Sequence, residues 1–252
     1  MSPDYPFLQT SRPIAFAHRG GAAGGVENSM AAFEAAIRLG YRYLETDVHA
    51  TADGRLVAFH DSSLDRVTDR TGLIAELPYR EVARARIGGR EPIPLLEELL
   101  GAWSEARFNI DVKVPGAIAP LAEVIRRTGT IDRVCVGAFS DSRIARTRAA
   151  LGPRLCTALG PRGVARLRAS SYLRPRVVGP AVCAQVPVGF RALRIVDRRF
   201  VAAAHRLGLQ VHVWTIDDPV EMHRLLDLGV DGIMTDRIDT LRDVLLQRGQ
   251  WH

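Results

Sequence analysis

The side chains best equipped for chemistry fall in a few short stretches. Glu45 and Asp47 lie two apart in the apolar run 43–48, and Asp111 and Lys113 lie two apart where the run 108–112 ends. Residues two apart in a strand share a face, so each pair points one way. Three carboxylates converging on one point repel each other strongly unless a cation sits among them. Oxygen-only ligands suit a hard cation, Mg²⁺ or Ca²⁺ with Mn²⁺ as a further option, its shell completed by substrate phosphate and water. The competing reading is that Glu45 and Asp47 pair with arginines or cap neighbouring loops. Paired carboxylates at the end of a strand favour the first reading.

His18 and His60 each end an apolar run and are each followed by a charged residue, Arg19 and Asp61. Imidazole titrates near neutral pH, so two of them can take and give a proton on either side of a phosphorus centre. Arg19 can grip phosphate oxygens through its bidentate fork. Lys113 is the single lysine of the chain; every other basic side chain, histidine aside, is arginine. A compact ammonium retained at one position suggests a role that guanidinium cannot fill, such as neutralising charge on a phosphoryl group. Gly20, Gly21, Gly24 and Gly25 let backbone approach a ligand closely. His49 falls on the Glu45/Asp47 face if that strand runs far enough. His212 reads as an interior histidine with a satisfied hydrogen bond, and His205, His223 and His252 as surface positions.

Those residues need a scaffold that gathers strand ends. Strand-like runs at 14–17, 43–48, 108–112, 133–138, 155–158, 181–186, 210–215 and 232–235 alternate with helical patterns at 29–39, 95–105, 117–127, 142–150, 162–169, 198–207, 219–228 and 240–247. Asn28 is the expected N-cap of the first helix and Gly40 its stop. Residues 56–59 return as a short extended segment after the turn at Ala52-Asp53-Gly54. Eight strands alternating with eight helices predict an α/β fold, a (β/α)₈ TIM barrel, whose strand C-termini carry the reacting groups. An open doubly wound sheet is disfavoured, because His18-Arg19-Gly20-Gly21 stands where its Gly-x-Gly-x-x-Gly would be. The rhythm lapses over 61–91, a stretch too long for a routine loop. A lid or small insertion with at most one short helix is expected there, within a single domain spanning 1–252.

Composition agrees with an ordinary globular protein: of 252 residues 47% are hydrophobic and 25% charged. Cys135, Cys156 and Cys183 are odd in number, lack zinc-site spacing and read as small buried hydrophobes. The net charge of +6 favours anionic ligands. The basic residues, densest over 143–176, are scattered without a nucleic-acid module, so no nucleic-acid partner is expected; a membrane-surface or polyanion role is the minor reading of that stretch. No run is long enough to cross a bilayer and no secretory signal is seen, so a cytoplasmic location is the default expectation. The oligomeric state is not legible.

The joint pattern resembles glycerophosphodiester phosphodiesterases. It consists of His18-Arg19-Gly20, Glu27-Asn28-Ser29, Glu45-Thr46-Asp47-Val48, Asp53-Gly54, His60-Asp61, Asn109-Ile110-Asp111-Val112-Lys113, Gln185-Val186-Pro187, Trp214-Thr215 and Gly229-Val230-Asp231-Gly232-Ile233-Met234-Thr235-Asp236. The resemblance runs from about residue 14 to 245. It implies a TIM barrel with an insertion after the second strand. It also implies one divalent cation on Glu45, Asp47 and Asp111, with His18 as proton acceptor and His60 as donor to the leaving alcohol. Arg19 and Lys113 would act on the phosphate, and Gln185 and Trp214 would contact substrate, Trp214 against the glycerol. The products would be an alcohol and sn-glycerol 3-phosphate. Where the family usually has glutamate as third ligand, this chain has Asp111, one methylene shorter. That implies a ligand acting through water or a shifted metal preference.

Two rivals share the barrel, a lysophospholipase D or sphingomyelinase D type of enzyme and a phosphoinositide-cleaving relative. The first needs long apolar loops, whereas 61–91 is mostly polar; the second is disfavoured by the Glu45/Asp47 pair. A non-catalytic anion-binding barrel is the remaining class, and only Asp111 hints at it.

Overall fold

A computed structural model describes residues 5–10, 13–172, 179–191 and 193–251. The expected surface position His252 and residues 173–178 of the basic stretch lie outside them. Strands β1 (Ile14–His18), β2 (Tyr43–Ala50), β3 (Leu56–Ala58), β4 (Arg86–Ile87), β5 (Glu91–Pro92), β6 (Arg107–Val112), β7 (Val134–Gly137), β8 (Cys156–Thr157), β9 (Cys183–Pro187), β10 (Gly189–Phe190), β11 (Leu193–Arg194), β12 (Gln210–Trp214) and β13 (Gly232–Thr235) follow in chain order. The α-helices are α1 (Met30–Arg38), α2 (Tyr79–Val82), α3 (Leu96–Ala102), α4 (Ile118–Thr128), α5 (Asp141–Leu151), α6 (Pro161–Ser170), α7 (Arg198–Arg206), α8 (Pro219–Asp227) and α9 (Ile238–Gln247).

Eight of the strands form one parallel sheet in the order β8-β7-β6-β2-β1-β13-β12-β9. Its ends meet through a parallel bridge between Ala158 and Cys183, flanked by Leu159 N–H to the Cys183 carbonyl at 2.8 Å and Val182 N–H to the Thr157 carbonyl at 3.1 Å. The TIM barrel read from the alternation is therefore present. Its strands are buried on both faces, as a parallel sheet wrapped in helices must be. Along β2, Leu44, Val48 and Ala50 pack in the layer between sheet and helices. Tyr43 instead packs among the interior residues Phe16, Cys135, Cys156, Cys183 and Met234. Strand alternation then puts Glu45, Asp47 and His49 on the inner face above Tyr43.

The floor of the barrel is closed by a segment whose role the sequence did not suggest. A single 3-10 turn, Pro6–Leu8, presents Phe7 edge-on to Tyr43 at 5.4 Å and against Phe16 at 6.5 Å. The Tyr43 hydroxyl donates to the Phe7 carbonyl at 2.8 Å. The three cysteines are buried and free, as expected of small hydrophobes.

The insertion after β2 is more structured than expected. Besides α2 it has a 3-10 turn at Ile74–Glu76 and the antiparallel β4–β5 hairpin. Val57, Phe59, Leu64, Ile74, Val82, Ala85, Ile87, Ile93 and Leu95 bury one another in a separate small core. Its elements are two to four residues long, too short for a period of 2 or 3.6 to show in the sequence. One cap also differs: Ser29 rather than Asn28 caps α1, its hydroxyl accepting from Ala32 N–H at 3.1 Å.

Candidate active site

Strand register brings the predicted residues together. Parallel pairing sets His18 beside Glu45 and Asp47 beside Asp111. Neighbouring strands run about 4.8 Å apart, so the second pairing holds two carboxylates side by side. Lys113 resolves the conflict: its Nζ lies 2.8 Å from Asp47 Oδ1 and 2.7 Å from Asp111 Oδ2. The other oxygen of Asp47 faces Arg19 Nε at 3.1 Å and accepts from Asn28 Nδ2 at 3.2 Å. Burial pushes the Asp47 carboxyl up, but Lys113 and Arg19 outweigh it and hold it below the ordinary range. Asn28 accepts in turn from the Thr46 hydroxyl at 2.7 Å, which fixes its amide orientation. The residue read as a helix cap is thus a clamp on Asp47.

Glu45 has less support. Its Oε2 accepts from Arg19 N–H at 3.2 Å and lies 3.7 Å from His18 Nε2. Burial first, and then the Asp47 charge, push its carboxyl up to about 7. To offer both its amide to Glu45 and its guanidinium to Asp47, Arg19 adopts φ +52°, a region that disfavours side chains and is kept where surroundings enforce it. Gly20 follows at φ +83°, where a Cβ would lie 2.8–2.9 Å from backbone and side-chain atoms of Ala32 and Phe33. No other residue fits between the strand end and α1.

Both histidines are oriented by carboxylates. His18 Nδ1 lies 2.6 Å from Asp236 Oδ1, and His60 Nδ1 lies 2.6 Å from Asp61 Oδ1. A carboxylate accepts, so each Nδ1 carries the hydrogen and each Nε2 is left for the site. Burial lowers the His18 pKa, but the Glu45 charge and the Asp236 hydrogen bond outweigh it and raise it overall. Asp61 is itself held: burial pushes it up, yet the bonds from Arg66 and His60 bring it down to about 2. Arg66 also grips Glu27 at 2.6 Å, and Glu27 takes Arg19 Nη1 at 3.1 Å. An unbroken polar chain, His60–Asp61–Arg66–Glu27–Arg19, thus links the two histidine sides. His49 is buried on the same face as Glu45 and Asp47, with Nε2 3.1 Å from the His60 carbonyl. It therefore donates there and fixes the backbone of that residue.

Asp61 and Asp236 are legible in the sequence as strand-end residues but not as braces for the histidines, and Glu27 and Arg66 carry no legible role there. The motif pieces His60-Asp61 and Thr235-Asp236 contained the signal, since a metal- or proton-handling histidine usually needs a carboxylate behind it. Among the described residues no hydrogen bond or ion pair joins Gln185 or Trp214 to this cluster. Gln185 Nε2 donates to Asn109 Oδ1 at 2.7 Å and approaches His212 Nδ1 at 3.4 Å, so its amide faces the barrel interior. His212 is buried and satisfied, as expected, by Gln185 and by Gln210 Oε1 at 3.0 Å. The half-buried Trp214 ring meets Phe139 edge-on at 5.5 Å. His205 pairs with Asp231 on the surface, whereas His223 is half-buried beside Arg248.

Among the described residues no three His, Cys, Asp or Glu side chains close on a common point as a ready-made metal cage. The donor set nevertheless suits a hard cation in two respects. Asp111 Oδ1 is buried without a hydrogen-bond partner, and Glu45 is a carboxylate whose surroundings supply too little positive charge to ionise it fully at neutral pH. Glu45, Asp47 and Asp111 are oxygen donors on adjacent strands, the chemistry that Mg²⁺, Ca²⁺ or Mn²⁺ takes.

Comparison with known proteins agrees with this arrangement. The sequence model of the glycerophosphoryl diester phosphodiesterase family matches residues 18–240. The chain belongs to that family. Within it, the chain is 40% identical over 256 residues to a Mycobacterium tuberculosis protein named "Probable glycerophosphodiester phosphodiesterase 2", covering 99% of this chain and 97% of that one. A human lysophospholipase D is 29% identical, covering 90% of this chain and 84% of its own length. An Oleispira antarctica phosphodiesterase, solved in complex with the product sn-glycerol-3-phosphate, shares the fold at a TM-score of 0.79 and 24% identity over 93% of this chain and 97% of that one. With this family the chain is an enzyme, a phosphoric diester hydrolase.

Proposed function

We propose that the whole chain is one catalytic domain that hydrolyses glycerophosphodiesters to an alcohol and sn-glycerol 3-phosphate. The observation that carries the mechanism is the pair of carboxylate-braced histidines beside Glu45, Asp47, Asp111 and Lys113. A divalent cation held by Glu45, Asp47 and Asp111 would polarise a non-bridging phosphate oxygen and stabilise its developing charge. Asp111 reaches less far than a glutamate, so it would hold the cation through water or shift the metal preference.

The chain's own groups do the rest. Arg19 and Lys113 draw the phosphate in and neutralise it; Lys113 can turn from its two carboxylates to the phosphoryl group. His18 Nε2 takes the proton of the attacking hydroxyl, either the glycerol 2-hydroxyl or water. Asp236 keeps the tautomer that makes this possible and stabilises the imidazolium formed. His60 Nε2, braced by Asp61, protonates the leaving oxygen. Gln185 and Trp214 contact the glycerol side. Attack by the 2-hydroxyl gives a cyclic phosphate that water opens; solvent ¹⁸O in the product without any cyclic species in a single turnover contradicts that route.

Leaving-group chemistry tests the two histidine roles. His60→Ala is expected to lose most turnover of an alkyl diester but little of a 4-nitrophenyl diester, whose leaving group needs no acid. His18→Ala is expected to lose both. Equal loss on both substrates for His60→Ala contradicts the assignment.

A lysophospholipase D activity is the second reading. It is favoured by Phe139, exposed beside Trp214, where an acyl chain could lie. Comparing glycerophosphocholine with lysophosphatidylcholine as substrates separates the two.

A further inference from the structure

Beyond the reaction itself, we propose that one quadrant of the barrel mouth docks onto the surface of an anionic lipid bilayer. The quadrant is formed by the loops after the consecutive strands β7, β8 and β9. Phe139 follows β7 and is 64% exposed. Arg162 opens α6 just after β8 and is exposed. The β10–β11 hairpin follows β9 directly and carries Phe190, Arg191, Leu193 and Arg194.

The hairpin has the features of a shallow membrane anchor. Phe190 and Leu193 pair directly across it, so their side chains share one face. They are 62% and 55% exposed. The hairpin base is fastened, because the Val188 carbonyl accepts from both Ile195 and Val196 N–H at 2.9 and 3.1 Å. Arg191 lies over the Phe190 ring at 5.5 Å, which places a cation beside the apolar tip. Two paired apolar side chains, held out on a fastened stem and flanked by arginine, are poorly explained by folding alone.

Charge identifies the occupant. The hairpin contains no acid, and Arg162, Arg191 and Arg194 form no ion pair among the described residues. The acids nearby are already engaged. Asp197 is held by Arg168 at 2.8 Å; Glu221, which feels Arg194, is paired with Arg224 at 2.5 Å; Asp141 accepts from the Arg162 backbone N–H at 3.1 Å and keeps its charge, which the three arginines outnumber. The whole chain carries +6. A stable protein partner needs about 800 Å² from each side, and three apolar side chains, two of them paired on one small hairpin, cannot supply that. An anionic bilayer needs only shallow apolar insertion supplemented by attraction to arginine.

Vesicle co-sedimentation tests the proposal, using phosphatidylcholine vesicles with and without phosphatidylglycerol. The protein is expected on the phosphatidylglycerol vesicles, absent from pure phosphatidylcholine, and released by high salt. Arg191→Glu with Arg194→Glu is expected to weaken binding roughly 30-fold or more. Phe190→Ser with Leu193→Ser is expected to weaken it at least about tenfold. Leu246→Ser, an exposed apolar position near the far end of α9, serves as control and leaves binding unchanged. Turnover of a water-soluble diester shows that each variant is folded, since none of these residues belongs to the proposed machinery. Equal sedimentation with both vesicle types, or full binding by the two double variants, overturns the proposal. So does self-association without lipid that Phe190→Ser with Leu193→Ser abolishes, because the patch is then a contact between copies of the chain.

Discussion

Glu45→Gln tests the electrostatics of the site without reference to activity. In metal-free protein, burial and the Asp47 charge raise the Glu45 carboxyl from 4.5 to about 7. Between those values the folded protein keeps a proton that the unfolded chain releases, so stability falls as pH rises across the window. His18 adds to the same trend: its pKa is also raised, so its contribution is present below 6.5 and lost as pH climbs through the folded value. At about 1.4 kcal/mol per pH unit, the Glu45 shift is worth about 3 kcal/mol at its full extent, and somewhat less between pH 5 and pH 8, because pH 5 already lies above the unfolded value. The amide that replaces the carboxyl in the variant has no charge to desolvate. Urea unfolding in EDTA at pH 5 and pH 8 should therefore show the variant gaining about 2 kcal/mol on wild type at the higher pH. A saturating divalent cation should cancel much of that gain by stabilising wild type, because it binds the ionised carboxylate. A wild-type-minus-variant difference that is the same at both pH values within about 0.5 kcal/mol would refute the reasoning.

Three further outcomes follow from the same geometry. Lys113→Met removes the one cation shared by Asp47 and Asp111 and leaves only Arg19, on the far oxygen of Asp47; it should lose about 3 kcal/mol in EDTA and recover more than wild type does when Mg²⁺ or Mn²⁺ is added, read as melting temperature. Asp236→Asn keeps an acceptor for His18 Nδ1 but removes its charge, so turnover should fall about tenfold while Asp236→Ala, which removes the acceptor, falls further. Phe7→Ala empties a fully buried site in the barrel floor and should cost about 3–5 kcal/mol by urea unfolding, with the KM for substrate unchanged because the floor lies away from the mouth.

What could be read in advance was whatever depends on short-range pattern. The β2 alternation aims Glu45 and Asp47 together, and the same rule pairs Asp111 with Lys113. The regular succession of strands and helices implied a closed barrel, which in turn implied that all strand C-termini share a mouth. What escaped was contact between distant positions. His18 and Asp236 are 218 residues apart, and nothing local to either shows that barrel closure sets them at 2.6 Å. Asn28 read as a cap because it precedes a helix; only its φ of +58° and the nearness of Asp47 reveal otherwise. Arg66 lies in the insertion, whose small core is built from segments too short to show a period. Phe7 sits in a segment whose value comes wholly from the aromatic floor above it.

Turnover of glycerophosphocholine with and without EDTA, followed by identification of both products, tests the proposed chemistry at its root. Choline and sn-glycerol 3-phosphate are the expected products, with turnover lost in EDTA and restored by added Mg²⁺, Ca²⁺ or Mn²⁺. Undiminished turnover in EDTA, or in a variant lacking both the Glu45 and Asp47 carboxylates, would contradict it.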